Sequence, residues 1–443
     1  RYLFEANFRA DASSRFPKNS RWGYFPAVSA AWRISQESFM EDTRDWLSNL
    51  KLRLGWGRTG NEEISDYYPG VATYAMQNSN TWLGSSLVSG AYESRLVNDK
   101  LKWATVTNYE VGLEASFLNN IVGFEAAAYR KDTKDMLLNL PVLSVIGMAS
   151  PAQNAGSVRN TGFEFSVFHN YRLNKDWSWN VSFNMAYNHN EITELEGTEG
   201  PSSYDKIWYL EGHPVGSYYG YICDGIFRTQ EEFDKGPHRL NNEKVGNLRY
   251  KDIGHYDENG DFVPIPDGKI DGADRAVIGK NFPSWTGGVN LGVSYRDFDL
   301  SMLWQGAFDV DVYVEGEAMY AFYNGASALD WQTDHWSVEN PNGNFPRLTT
   351  SANSPDYCTN SYWLKNGNYV RLKNLTFGYT IPRELTQKAH LEKVRFYFSG
   401  ENLWTISPMN KYNLDPEAPN TYQNRGAFQS NVRKFSFGLN LTI

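Results

Sequence analysis

The sequence predicts an all-β fold: an antiparallel transmembrane β-barrel of about twelve strands with long extracellular loops. Three observations predict it. The last ten residues, Lys434 to Ile443, set Phe435, Phe437, Leu439, Leu441 and Ile443 against Lys434, Ser436, Gly438, Asn440 and Thr442. That strict period of two gives a strand one apolar and one polar face, and the same period recurs along the chain. The connections alternate between tight turns and stretches of tens of residues, as in barrels whose short turns lie in the periplasm. A β-sandwich, the competing architecture, spaces its turns more evenly.

Taken in order, Tyr2 to Ala10 and Arg21 to Arg33 are strand-like and joined by a polar turn. Ser35 to Leu47 has helical character, and a third strand runs from Leu50 to Trp56. A polar stretch, roughly 59–106, shows no sustained period. Val111, Leu113, Ala115 and Phe117 then alternate with Glu110, Gly112, Glu114 and Ser116. Asn119-Asn120 turns the chain into a strand carrying Val122, Phe124, Ala126 and Ala128. Phe163, Phe165 and Val167 mark the next. After a turn at Asn174 to Asp176, six apolar residues from Trp177 to Tyr187 form the cleanest alternation in the chain. Residues 189–284 read as irregular. Two strands joined at Arg296-Asp297 carry Val289 to Tyr295 and Phe298 to Trp304. A loop over 309–368 leads to Tyr369–Ile381, Val394–Trp404 and the closing strand.

Composition excludes other classes. The 443 residues carry a net charge of −9 and no Lys/Arg-rich run, so nucleic acid is not a partner. No apolar run approaches the roughly 18–20 residues of a membrane helix, which says nothing against strands that hide only half their residues in lipid. The 15 Trp, 28 Tyr and 25 Phe suit β structure and interfacial or ligand-stacking surfaces. Cys223 and Cys358, the two cysteines, are too few to staple a chain of this length.

Several stretches resemble the carboxy-terminal part of SusC/RagA-type TonB-dependent outer-membrane transporters of the Bacteroidetes. They are Asp11-Ala12-Ser13-Ser14-Arg15-Phe16 with Arg21-Trp22-Gly23-Tyr24-Phe25-Pro26, and Leu101-Lys102-Trp103 with Asn108-Tyr109-Glu110-Val111-Gly112-Leu113. Asn154 to Gly162, Tyr369 to Tyr379 and Ser399-Gly400-Glu401-Asn402-Leu403 continue the likeness in the family's order. The resemblance implies a plugged barrel of about 22 strands, with the plug domain and first strands upstream of residues 1–443. It also implies import of oligosaccharides, or alternatively peptides, under a SusD-like surface lipoprotein lid, energised by TonB in the outer membrane. On that reading the closing strand does not pair with Tyr2 to Ala10. A soluble glycan-binding protein or hydrolase is the alternative from another class.

Candidate sites are few. Asp257, Asn259, Asp261, Asp267, Asp271 and Asp274 resemble the family's Asp/Asn/Gly-rich loop, itself similar to a calcium loop with oxygen ligands at alternate positions. Phe262 to Pro266 interrupts that spacing, and turns shaped by Asp, Asn and Gly are the alternative to a Ca²⁺. Trp331, Trp336, Tyr357, Tyr362 and Trp363 lie in the loop before Tyr369, where flat rings can stack on a substrate or pack on a partner. Trp177, Trp179, Trp304 and Trp404 instead read as an interfacial girdle. The scattered His and the absence of HExxH or GxSxG argue against an enzyme. Glu110, Glu114, Glu125 and Glu164 look like paired carboxylates, but recur at the polar positions of successive strands.

Overall fold

The computed structural model describes residues 1–64, 69, 71–76, 80–94, 96–139, 151–195, 199–201, 206–238, 242–351, 353–417 and 430–443. Twelve long strands follow one another, each hydrogen-bonded to the one before it in a single antiparallel sheet. They are β1 (Tyr2–Ala12), β2 (Trp22–Arg33), β3 (Leu47–Asn61), β4 (Ala104–Phe117), β5 (Val122–Lys134) and β6 (Ser157–Arg172). Then come β7 (Trp177–Glu194), β8 (Trp285–Tyr295), β9 (Phe298–Phe308), β10 (Tyr369–Thr380), β11 (Lys393–Ile406) and β12 (Lys434–Thr442). The shortest has 9 residues and the longest 18, enough to cross a bilayer as tilted strands. Phe437 pairs with Phe398 and Phe4 with Ala30, so β12 and β1 stand at opposite ends of the strand order.

The chain divides into two compact units, residues 1–168, 186–200 and 210–214, and residues 169–185, 201–209 and 215–443. In the first, register sorts the side chains into two faces. Phe4, Ala30, Leu54, Val111 and Ala128 form one continuous row across five strands, and Glu5, Ser29, Gly55, Glu110 and Tyr129 form the row beside it on the opposite face. Because side chains alternate, that register makes one face apolar and the other polar throughout. The β4–β5 turn places Leu118, Asn119 and Asn120 in the left-handed region, which Asn tolerates better than most residues. The helical segment expected over Ser35 to Leu47 is two short 3-10 turns, Ile34–Gln36 and Ser38–Thr43. Phe16, Leu101 and Ala152 build a small core among the connections, joined by Ile64, Trp103 and Leu137.

In the second unit β8 and β9 meet at Arg296, whose φ is 50°, and all their residues from Trp285↔Phe308 to Tyr295↔Phe298 are paired. Lys373 is an extra residue in β10 against β9, between Leu372 and Asn374, whereas against β11 the extra residue belongs to β11, whose Asn402 and Leu403 face Lys373 alone. The segments read from sequence as irregular are folded. Within 206–280, Ile207–Tyr209, Ser217–Tyr221 and Arg275–Lys280 pair as short antiparallel strands. Buried residues of 206–280 join those of 309–368, and Met409 from the connection after β11, in one core that includes Ile207, Tyr218, Leu248, Tyr313, Met319, Phe345 and Trp363.

Candidate functional site

The five aromatic candidates come together around that core. Trp363 is fully buried; its Nε1–H donates to the carbonyl of Asp356 at 2.7 Å, and its ring meets those of Tyr320 and Tyr362 edge-on at 4.9 and 4.8 Å. Tyr357 stacks on Tyr320 with centroids 3.9 Å apart. Trp331 packs edge-on against Phe345 and Tyr412 at 5.5 and 5.2 Å. Trp336 donates to the Arg228 carbonyl at 3.1 Å and lies against Gly246, where a Cβ would fall 2.2 Å from its ring. The Tyr362 hydroxyl donates to the Asn344 carbonyl at 2.8 Å, while the Lys365 ammonium sits 4.6 Å from the ring centroid. Trp363 therefore has no open face for a ligand. The other four are half-buried, with their rings turned mainly towards protein.

A buried polar hub that the sequence did not single out organises this core. Asp356 is 1% exposed and accepts from the Leu248 amide at 2.7 Å and from Asn247 Nδ2 at 2.8 Å. Burial pushes its carboxyl up to about 6, with those two donors opposing the shift. Asn360, also buried, donates to the carbonyls of Asp356 and Cys358 at 3.1 and 2.9 Å. Cys223 and Cys358 lie beside this hub without a disulfide, and burial raises Cys223 to about 12, which keeps it protonated and unreactive. Nothing in the local sequence, a run of mixed polar and aromatic residues without period, distinguishes Asp356 from a turn aspartate.

The acidic loop uses its carboxylates on its own backbone. Asp257 Oδ1 accepts from the amides of Asn259 and Asp261, both at 2.9 Å, and the Asp261 amide leads in holding that carboxyl below its usual range. Asp271 accepts from Ala273 N–H, and the fully buried Asp274 accepts from Ile253 and Asp271 N–H, all at 2.8 Å. Asp267 contributes its amide to Asp252 Oδ1 at 3.3 Å and accepts from Lys269 N–H at 2.9 Å. Among the described residues no group of three or more His, Cys, Asp or Glu is placed to hold a metal ion. These contacts form a series of Asx turns and a capping box.

On the polar face of the first unit, Glu110, Glu114 and Glu125 converge on one cation. Arg53 lies 3.2, 3.3 and 2.9 Å from them, and Lys51 adds a contact to Glu114 at 3.0 Å. Glu114 and Glu125 are register partners on β4 and β5, and each of the three carboxylates is committed to an ion pair with Arg53. On the apolar face, Trp177 meets Tyr295 at 4.3 Å, Trp179 donates to His169 Nδ1 at 2.9 Å, and Trp304 meets Trp404 at 5.9 Å. Trp177 and Tyr295 lie beside the short turns, and Trp304 and Trp404 lie further along their strands towards the long connections.

Long antiparallel strands with one apolar and one polar face, short turns at one end and folded connections at the other define the wall of an outer-membrane β-barrel. The family model for the TonB dependent receptor-like β-barrel matches residues 1–403, and the chain belongs to that family, as a SusC/RagA-type member. It is 31% identical to TonB-dependent receptor SusC of Bacteroides thetaiotaomicron, over 94% of this chain and 40% of that protein. It is also 31% identical to TonB-dependent receptor P3 of Formosa agariphila, over 100% of this chain and 44% of that one. The solved structure of the RagAB peptide transporter superposes with a TM-score of 0.81 at 25% identity, over 100% of this chain and 46% of that one. The chain thus spans less than half the length of the relatives it matches.

Proposed function

We propose that this chain is part of the wall of a TonB-energised outer-membrane importer whose cargo is peptide. The observation that carries the reading is the likeness to the RagAB peptide transporter along the whole chain. Support therefore falls on the peptide alternative rather than on the oligosaccharide reading favoured from sequence. The polar face suits such cargo, because its ion pairs and carboxamides can exchange partners with a zwitterionic chain. A plug domain and further strands complete the barrel, and a SusD-like lipoprotein covers the folded connections, with Trp331, Trp336, Tyr357 and Tyr362 as the rings nearest to cargo or lid. The acidic loop is ordered by its own turns or by one Ca²⁺.

The test is direct. The full-length protein, purified with its lid partner from outer membranes, releases its bound cargo on denaturation, and mass spectrometry identifies it. Peptides support the reading; oligosaccharides alone sink it.

A further inference from the structure

We infer that the polar face of β1–β4 carries a trough for an extended stretch of cargo peptide, near the strand ends that lead into the long connections. The inference rests on the peptide reading and adds the place and the contacts.

Strand register builds the trough. Asn7, Ala27, Gly57, Asn108 and Lys131 lie in one row across β1 to β5, and Glu5, Ser29, Gly55, Glu110 and Tyr129 lie in the adjacent polar-face row. In both rows β2 and β3 supply only a glycine, an alanine or a serine, while β1 and β4 supply carboxylates and carboxamides. The result is a low floor between two polar walls, enclosing about 470 Å³. The walls stand three strand spacings apart, about 14 Å at roughly 4.8 Å each, which admits an extended peptide with its side chains.

The chemistry of the walls favours peptide over sugar. Asn7 and Asn108 offer carboxamides, which carry both a donor and an acceptor like the peptide group itself. Glu5 is exposed, with one oxygen accepting from Asn7 Nδ2 at 2.8 Å. Lys131, at the far side, is exposed and makes no ion pair among the described residues. Glu110 is already neutralised by Arg53. The trough so presents an anion at one wall and a cation beyond the other. Beyond the β4 wall, Tyr129 is held by its hydroxyl on Asn188 at 3.0 Å.

The experiment uses the full-length transporter with its lid partner and a defined set of acidic, neutral and basic octapeptides. Ser29→Trp and Gly55→Leu fill the floor; Ser29 is exposed and a Cβ at Gly55 meets nothing closer than 3.8 Å, so both sites accept a side chain. Each should weaken peptide binding at least tenfold while the protein still reaches the outer membrane as a heat-modifiable barrel. Lys131→Glu should shift preference among the octapeptides from acidic towards basic. Wild-type binding of peptides that neither the filling variants nor the charge swap alters overturns the trough and leaves the peptide reading standing. Loss of assembly in the filling variants, with unchanged preference in Lys131→Glu, overturns it too, since protein would then occupy the floor. A wild type that binds no peptide ends both.

Discussion

Glu417 lies 2.6 Å from the guanidinium of Arg371, and the arginine is almost wholly withdrawn from solvent. Arg371 projects from β10; Glu417 belongs to the connection between β11 and β12. Asp415 meets the same guanidinium, Lys373 reaches Glu417 at 2.6 Å, and the Tyr369 hydroxyl donates to it at 2.7 Å. Asn431, from the other end of that connection, donates to Asp415 at 2.8 Å and to Glu417 at 3.1 Å. The base of the connection is clasped to one strand. Removing one partner of such a buried group leaves the others uncompensated, so Arg371→Met should destabilise by about 3–5 kcal/mol. Protease cleavage within residues 407–433 should rise in parallel, and an unchanged digestion pattern would show that the clasp stabilises nothing.

Facing gives a second prediction. Leu291 pairs with Met302 on the apolar face, and Phe183 shares that face with Val289 and Trp304, which pair with each other. Arg at Phe183 or Leu291 should cost about 2–4 kcal/mol if it meets lipid at mid-depth. Asn290, which donates to Ser182 at 3.4 Å on the polar face, should accept Arg with little change, as should Asn184. Heat-modifiable mobility after refolding into vesicles separates the two sets. Equal defects from both would contradict the facing.

The hub aspartate makes the folded connections sensitive to acid in an unusual direction. Burial raises the carboxyl of Asp356 from 3.8 to about 6, so the folded state holds its proton more tightly than the unfolded chain. Its contribution to stability is complete below about pH 4 and is lost as pH rises through about 6. Denaturation followed by tryptophan fluorescence should therefore show wild-type stability falling across that window. Asp356→Asn should flatten the slope; a slope unchanged by the substitution would assign it to another group.

For the acidic loop, Asp274→Ala leaves the amides of Ile253 and Asp271 without their acceptor. The cost should be about 1–3 kcal/mol, read as faster hydrogen exchange at both amides. A chelator should leave wild-type exchange there unchanged. Protection that appears only with added Ca²⁺ would favour the ion.

The twelve long strands were legible because each leaves one face apolar. A helix would scatter the six alternate apolar residues of Trp177 to Tyr187 around its whole circumference, whereas a strand gathers them on one side. The short strands of the second unit were not legible. Ser217–Tyr221 is buried on nearly every residue, so period two disappears, and Ile207–Tyr209 is too short to show any. For the same reason Trp363 reads from sequence as a candidate ligand contact: a core aromatic in a segment without period carries no local mark of burial. The committed ion pairs of Glu110, Glu114 and Glu125 needed register to find, because Arg53 lies more than fifty residues away in sequence.

On the apolar face near the turns, Trp46, Phe117, Phe124 and Phe165 form a file of rings, with successive centroids 6.0, 6.4 and 6.4 Å apart. Aromatic rings settle at the boundary between hydrocarbon and headgroups, where both deeper and shallower positions are less favourable. Rings in contact on successive strands cannot leave that level one at a time. The file therefore works as a waterline, marking one depth for the short-turn ends of β3 to β6.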